Sequence, residues 1–129
     1  MTGFVDNIET LTTQNTDFRR VIYTGEHLQL VLMSLEPGQD IGSEVHATHD
    51  QFFRIESGKG EVVIDGERSQ VKDDDAIIVP AGAQHNVINT GSEPLRLYTL
   101  YGPPEHEEGV VAPSKDDVEE EHFDGRTTE

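Results

Sequence analysis

The chain has 129 residues, room for one domain with a modest core. It carries 26 acidic residues against 9 basic ones, a net charge of −17, and no cysteine. This composition excludes a disulfide framework, a thiolate metal site and a cysteine nucleophile, and it argues against nucleic acid or an anionic membrane as a partner.

In chain order, residues 1–16 are polar and read as an N-terminal arm or an edge strand. The alternation predicts strands over 18–23 and 28–35, before Glu36-Pro37-Gly38 breaks the chain. Strands over 41–46 and 51–56 follow, then a turn at 57–60. Asp65-Gly66 is a two-residue hairpin signal between strands 61–64 and 68–71. Asp73-Asp74-Asp75 marks another turn, and strands over 76–79, 84–88 and 95–101 complete the series. Nine short strands without a helical period predict an all-β sandwich or barrel over residues 17–102. From Pro103-Pro104 onward an acidic C-terminal tail, residues 103–129, leaves a short helix around 115–121 and disorder both open.

No apolar run approaches the ~20 residues that span a bilayer. The start, MTGFVDNIETL, lacks the basic and apolar regions of a secretory signal. A soluble cytoplasmic protein is therefore expected. The only lysines are Lys59, Lys72 and Lys115. Scarce lysine with abundant acid fits a halophile's high-salt cytoplasm or an ordinary acidic protein with a charged tail.

The most informative stretch is PAGAQHNVIN, residues 80–89. Pro80 and Gly82 suit a tight turn, and the following strand carries His85 toward an enclosed space. Asn89 suits a role in tying down the next turn. A second pattern runs over residues 38–58: Gly38, Glu44, His46, Gln51 and Gly58. Glu44 and His46 are two apart and share one face of a strand. Gln51 lies on the next strand, and on its parity Phe53 and Ile55 face inward while Phe52 and Arg54 face away. Phe53 suits core packing, with a place beside the pocket as the alternative. On the last strand the alternation does not decide between Tyr98 and Tyr101 as pocket residues.

These two stretches resemble the cupin motifs, G-x5-H-x-H-x3–4-E-x6-G and G-x5-P-x-G-x2-H-x3-N. The second motif matches except at its leading glycine, where Asp74 stands. In the first motif both glycines match, whereas Glu44 replaces the first histidine and Gln51 replaces the glutamate. The resemblance implies a single jelly-roll (double-stranded β-helix) barrel. It also implies a divalent metal ion held by Glu44, His46, Gln51 and His85. Two histidines and one carboxylate suit Fe, and also Mn, Ni or Zn. Gln51 would then be a weak oxygen ligand or would orient a bound water.

The same motifs also suit a barrel that has lost its metal. A register using His46 and His49 is disfavoured by the glycine spacing, which leaves His49 at a pocket rim. His27, His106 and His122 are expected in solvent. The resemblance implies either a metal-dependent small-molecule enzyme of dioxygenase or isomerase type, or a non-catalytic ligand-binding cupin with a weak or empty site. Arg54, the arginine nearest the motif positions, faces away, which weighs against a phosphate substrate. A small-molecule ligand and a homodimer, with no nucleic acid or membrane, are the expected partners.

Overall fold

A computed structural model describes residues 1–129. It contains all nine expected strands: β1 (Arg19–Thr24), β2 (Gln29–Leu35), β3 (Glu44–Val45), β4 (Asp50–Ser57), β5 (Lys59–Ile64), β6 (Glu67–Lys72), β7 (Ala76–Val79), β8 (Gln84–Asn89) and β9 (Leu95–Gly102). A tenth, β10 (Val111–Ala112), comes from the acidic C-terminal region. The strands form a six-stranded sheet in the order β10-β1-β2-β9-β4-β7 and a four-stranded sheet in the order β3-β8-β5-β6. Every pairing is antiparallel. No helix is long and apolar enough to cross a membrane.

Alternation places the core between the two sheets. β4 buries Gln51, Phe53 and Ile55, and β8 buries His85, Val87 and Asn89. β9 buries Leu95, Leu97, Thr99 and Tyr101, which settles the parity left open above. Tyr98 instead packs on Phe52 across the outer face, with ring centroids 6.2 Å apart. A cluster of 17 buried apolar residues joins both sheets.

Local backbone chemistry fixes the registers. Asp65 and Gly66 both have positive φ, 46° and 83°, as a tight hairpin turn between β5 and β6 requires. Gly60 lets β5 lie against β8: a Cβ there would meet the Ile88 carbonyl oxygen at 2.5 Å. Asp74, at the motif's glycine position, adopts φ 73° itself. Aspartate tolerates this left-handed region better than most residues. Its side chain also accepts a 3.2 Å hydrogen bond from Arg54.

Three segments differ from expectation. The strand over 41–46 shrinks to Glu44–Val45, because Gly42 at φ 92° interrupts it. The segment still follows β8 through Ile41 N–H donating to the Val87 oxygen at 3.0 Å. The N-terminal arm forms a helix, α1 (Ile8–Gln14), rather than a strand. Asn7 caps it by accepting from the Thr10 N–H, and Arg96 of β9 donates to the Thr13 carbonyl. Finally, residues past 102 pack against the barrel: β10 pairs with β1, and a 3-10 turn follows at Lys115–Asp117.

Candidate metal centre

The short strand β3 lies beside β8 with Glu44 directly opposite His85. His46 follows just past β3, on the Glu44 side. Its carbonyl accepts from the Gly82 N–H at 2.9 Å, which ties it to the turn that launches β8. The result is convergence: Glu44, His46 and His85 bring one ligand atom each to within 4.8 Å of one another. His46 and His85 have ring centroids 5.5 Å apart.

Hydrogen bonding orients the two deepest side chains. His85 is 2% exposed, and its Nδ1 stands 3.3 Å from the Ala83 carbonyl oxygen. That oxygen can only accept, so the bond places the proton on Nδ1 and leaves Nε2 with a free lone pair. His85 Nε2 is buried with no partner. Gln51 is arranged in the same way: its amide nitrogen donates to Thr99 Oγ1 at 3.0 Å, while its Oε1 is buried and unpartnered. Two acceptors inside one barrel are thus left without a protein partner, which native interiors seldom allow.

Electrostatics separates the three converging groups. Burial alone would raise the Glu44 carboxyl, but its hydrogen bond to His46 and the nearby positive charges hold it below the usual range. His46 Nε2 lies 2.9 Å from Glu44 Oε2, and this bond raises the His46 pKa against the opposing effect of burial. Burial lowers the His85 pKa, so that ring is neutral and ready to ligate at neutral pH.

The surroundings include residues whose roles the motifs do not signal. The segment after β9 folds back over the barrel mouth and delivers Glu105 and His106. Glu105 Oε2 lies 3.3 Å from His49 Nε2 and 3.7 Å from His46 Nδ1. His49 therefore sits at the rim, also 2.9 Å from the Pro104 carbonyl. His106 was expected in solvent but is 6% exposed. Three contacts bury it. Its ring packs edge-on against Tyr101 with centroids 5.2 Å apart, its Nδ1 meets Glu121 at 2.5 Å, and its N–H donates to Gln29 Oε1 at 2.9 Å. His27 and His122 are exposed, as expected. Tyr101 in turn packs edge-on against His46 at 5.7 Å, and burial raises its hydroxyl pKa strongly. Beside the site lies a cavity of about 220 Å³, lined by Arg19, Glu44, His46, Glu105, His106 and Glu121 among others. Arg19 is the cation that strand parity missed: arginines at 19 and 20 leave either face of β1 plausible, and the fold turns Arg19 inward.

With this geometry established, comparison with known proteins identifies the family. A cupin-domain family profile matches residues 31–101, more than half of the chain. This chain is a cupin. It is 50% identical over 121 residues to the uncharacterized protein YrkC of Bacillus subtilis, covering 89% of this cupin and 65% of YrkC. The chain thus spans just under two thirds of that relative's length. It is 40% identical over 113 residues to the uncharacterized protein L612 of Acanthamoeba polyphaga mimivirus, covering 84% of this chain and 70% of that one. Among solved structures it resembles BH2720 from Bacillus halodurans, with 47% identity, a TM-score of 0.88, and coverage of 90% and 92% of the two chains.

Proposed function

We propose that this cupin is a metal-dependent small-molecule enzyme of the dioxygenase or isomerase type. In this reading Glu44, His46 and His85 hold a divalent Fe, Mn, Ni or Zn ion, and Gln51 adds a weak oxygen ligand or holds a water. The observation that carries the reading is the buried, unpartnered Nε2 of His85, facing the Glu44 carboxylate and the His46 ring. The donor set fits: two imidazoles and one carboxylate leave positions open for a substrate. A bound divalent ion would supply a Lewis acid for a carbonyl or enediol oxygen, or a centre for dioxygen chemistry.

The chain's own residues do the rest. Ala83 fixes the His85 tautomer, and Thr99 turns the Gln51 carbonyl away from itself. Glu44 and His46 share a proton that must leave before both can ligate, so metal uptake releases protons and weakens in acid. Glu105 and His106 narrow the mouth.

A second reading, a non-catalytic binder with a weak site, is favoured by one observation. The Glu44–His46 bond already satisfies two of the three ligands without a metal. Metal analysis of purified protein separates the two. Near-stoichiometric metal, lost in His46→Ala and His85→Ala variants that keep their circular dichroism, supports the enzyme reading. A wild-type protein that folds but takes up none of the four metals rules it out and leaves the binder.

A further inference from the structure

One charged group at the cavity has no hydrogen-bonded or ion-paired partner. Arg19 leaves β1 on the inward side with Val21 and is only 7% exposed, yet its guanidinium makes no ion pair or hydrogen bond, and its Nε is buried without a partner. The Phe18 ring centroid lies 5.7 Å from the guanidinium carbon. Glu44 and Glu121 feel its charge at a distance, but a buried arginine whose donors meet no acceptor remains costly to desolvate.

The acids around it that are not fully exposed are already engaged, and Glu119 and Glu120 point to solvent. Glu44 bonds His46, Glu105 meets His49 and His122, and Glu121 accepts from His106 and from the Glu107 N–H. Lys115, the other cation lining the cavity, is paired with Asp40. Arg19 alone among the buried charges there is left without a partner, and it lines the same cavity as Glu44 and His46.

We propose that Arg19 anchors the carboxylate of a small ligand in this cavity. The planar fork of a guanidinium matches a carboxylate through two parallel hydrogen bonds. A monoanion fits better than a phosphate dianion, because five glutamates line the same space. At about 220 Å³ the cavity lies below the ~300–1,000 Å³ of drug-sized sites, which limits the ligand to a small organic acid. The inference deepens the enzyme reading above and rests on it for the cavity being a ligand site: the acid's carboxylate would sit on Arg19, its reacting oxygen toward Glu44, His46 and His85.

The test is calorimetric titration of the full chain, metal-stripped and Mn-loaded, with acetate, pyruvate, lactate and succinate, and with inorganic phosphate as comparator. Metal content is measured separately on each sample. At least one carboxylate should saturate the wild type. Arg19→Gln should weaken it by roughly tenfold to a hundredfold, as loss of a charge-assisted bond does, with metal content unchanged. Arg19→Lys, which keeps the charge and loses the fork, should fall between. If Arg19→Gln fails to fold, Arg19→Lys carries the test alone. A purely structural counter-charge would be restored by lysine and would leave ligand binding untouched. The proposal is overturned if no carboxylate saturates, if affinity is the same without the guanidinium, or if phosphate binds in preference. Carboxylate binding that depends on Arg19 in a protein that takes up no metal would uphold this inference while sinking the enzyme reading. The converse result would do the reverse.

Discussion

The two sides of the candidate centre are built differently. On the β8 side, His85 is 2% exposed, its tautomer is set by a backbone carbonyl, and its strand is paired on both edges, with β5 and with β3. On the β3 side, Glu44 stands on a two-residue strand at the sheet's edge with His46 just past its end, and the Glu44 side chain is 30% exposed. The β8 side is fixed before any ligand arrives. The β3 side satisfies itself by an internal hydrogen bond that a ligand has to break. A site of this kind holds one donor rigid and lets the others adjust, which separates changes that damage the fold from changes that affect only binding.

The largest effect should come from disturbing the β8 support. Gly60→Ala places a methyl against the Ile88 oxygen, so denaturant unfolding should show a loss of about 3 kcal/mol or failure to fold. Next comes Asn89→Ala. Asn89 is 1% exposed, donates to the Leu35 and Glu93 carbonyls, and accepts from the Gly91 N–H. Its removal strands these groups and should cost about 1–3 kcal/mol in the same assay.

On the β3 side, Glu44→Gln should leave unfolding within about 1 kcal/mol of wild type, as suits a partly exposed pair. It should bring the His46 pKa down, because the carboxylate is what raises it. An NMR titration of the His46 ring in metal-free protein reads this directly, and an unchanged pKa would break the contrast.

A smaller, pH-linked effect should appear at the mouth. Burial would raise the Glu121 carboxyl, but its bonds from His106 and the Glu107 N–H hold it below its usual 4.5. A carboxylate depressed in the fold contributes stability above its unfolded pKa and loses it as pH falls through the folded value. The segment over the mouth should therefore loosen only below about pH 4.5, seen as faster proteolysis near Glu121 while the barrel signals persist. The smallest change expected is from Asp74→Gly. It relieves a left-handed aspartate and gives up an exposed bond to Arg54, for a gain of no more than about 1 kcal/mol in unfolding.

Much of this was legible from the chain. The strands were legible because β4, β7, β8 and β9 bury every second residue, β2 is a nearly continuous apolar run, and Asp65-Gly66 is chemistry that demands a hairpin. The spacing of Glu44, His46 and His85 carried the cluster because parity and motif turns are local properties. What was not legible depends on contacts distant in sequence. His106 looks like one more polar residue in an acidic tail, and only Tyr101, Gln29 and Glu121 make it a buried one. Arg19 and Arg20 are adjacent, and only the completed barrel distinguishes the inward one. The α1 helix is two turns long, too short to impose a period on the sequence.

Gln29 has a consequence for how the molecule opens. Its amide, fully buried on β2, accepts from the Glu105 and His106 N–H groups and donates to the His106 carbonyl and to Thr24. Cutting the chain after Gly102 would remove three of that amide's four bonds, sparing only the one to Thr24, with nothing to replace them in an apolar interior. The stretch at Glu105 and His106 is thus not an appendage but is tied directly to β2. Hydrogen exchange should find the Glu105 and His106 amides opening together with the barrel, and a minimal version of the domain has to extend at least to His106.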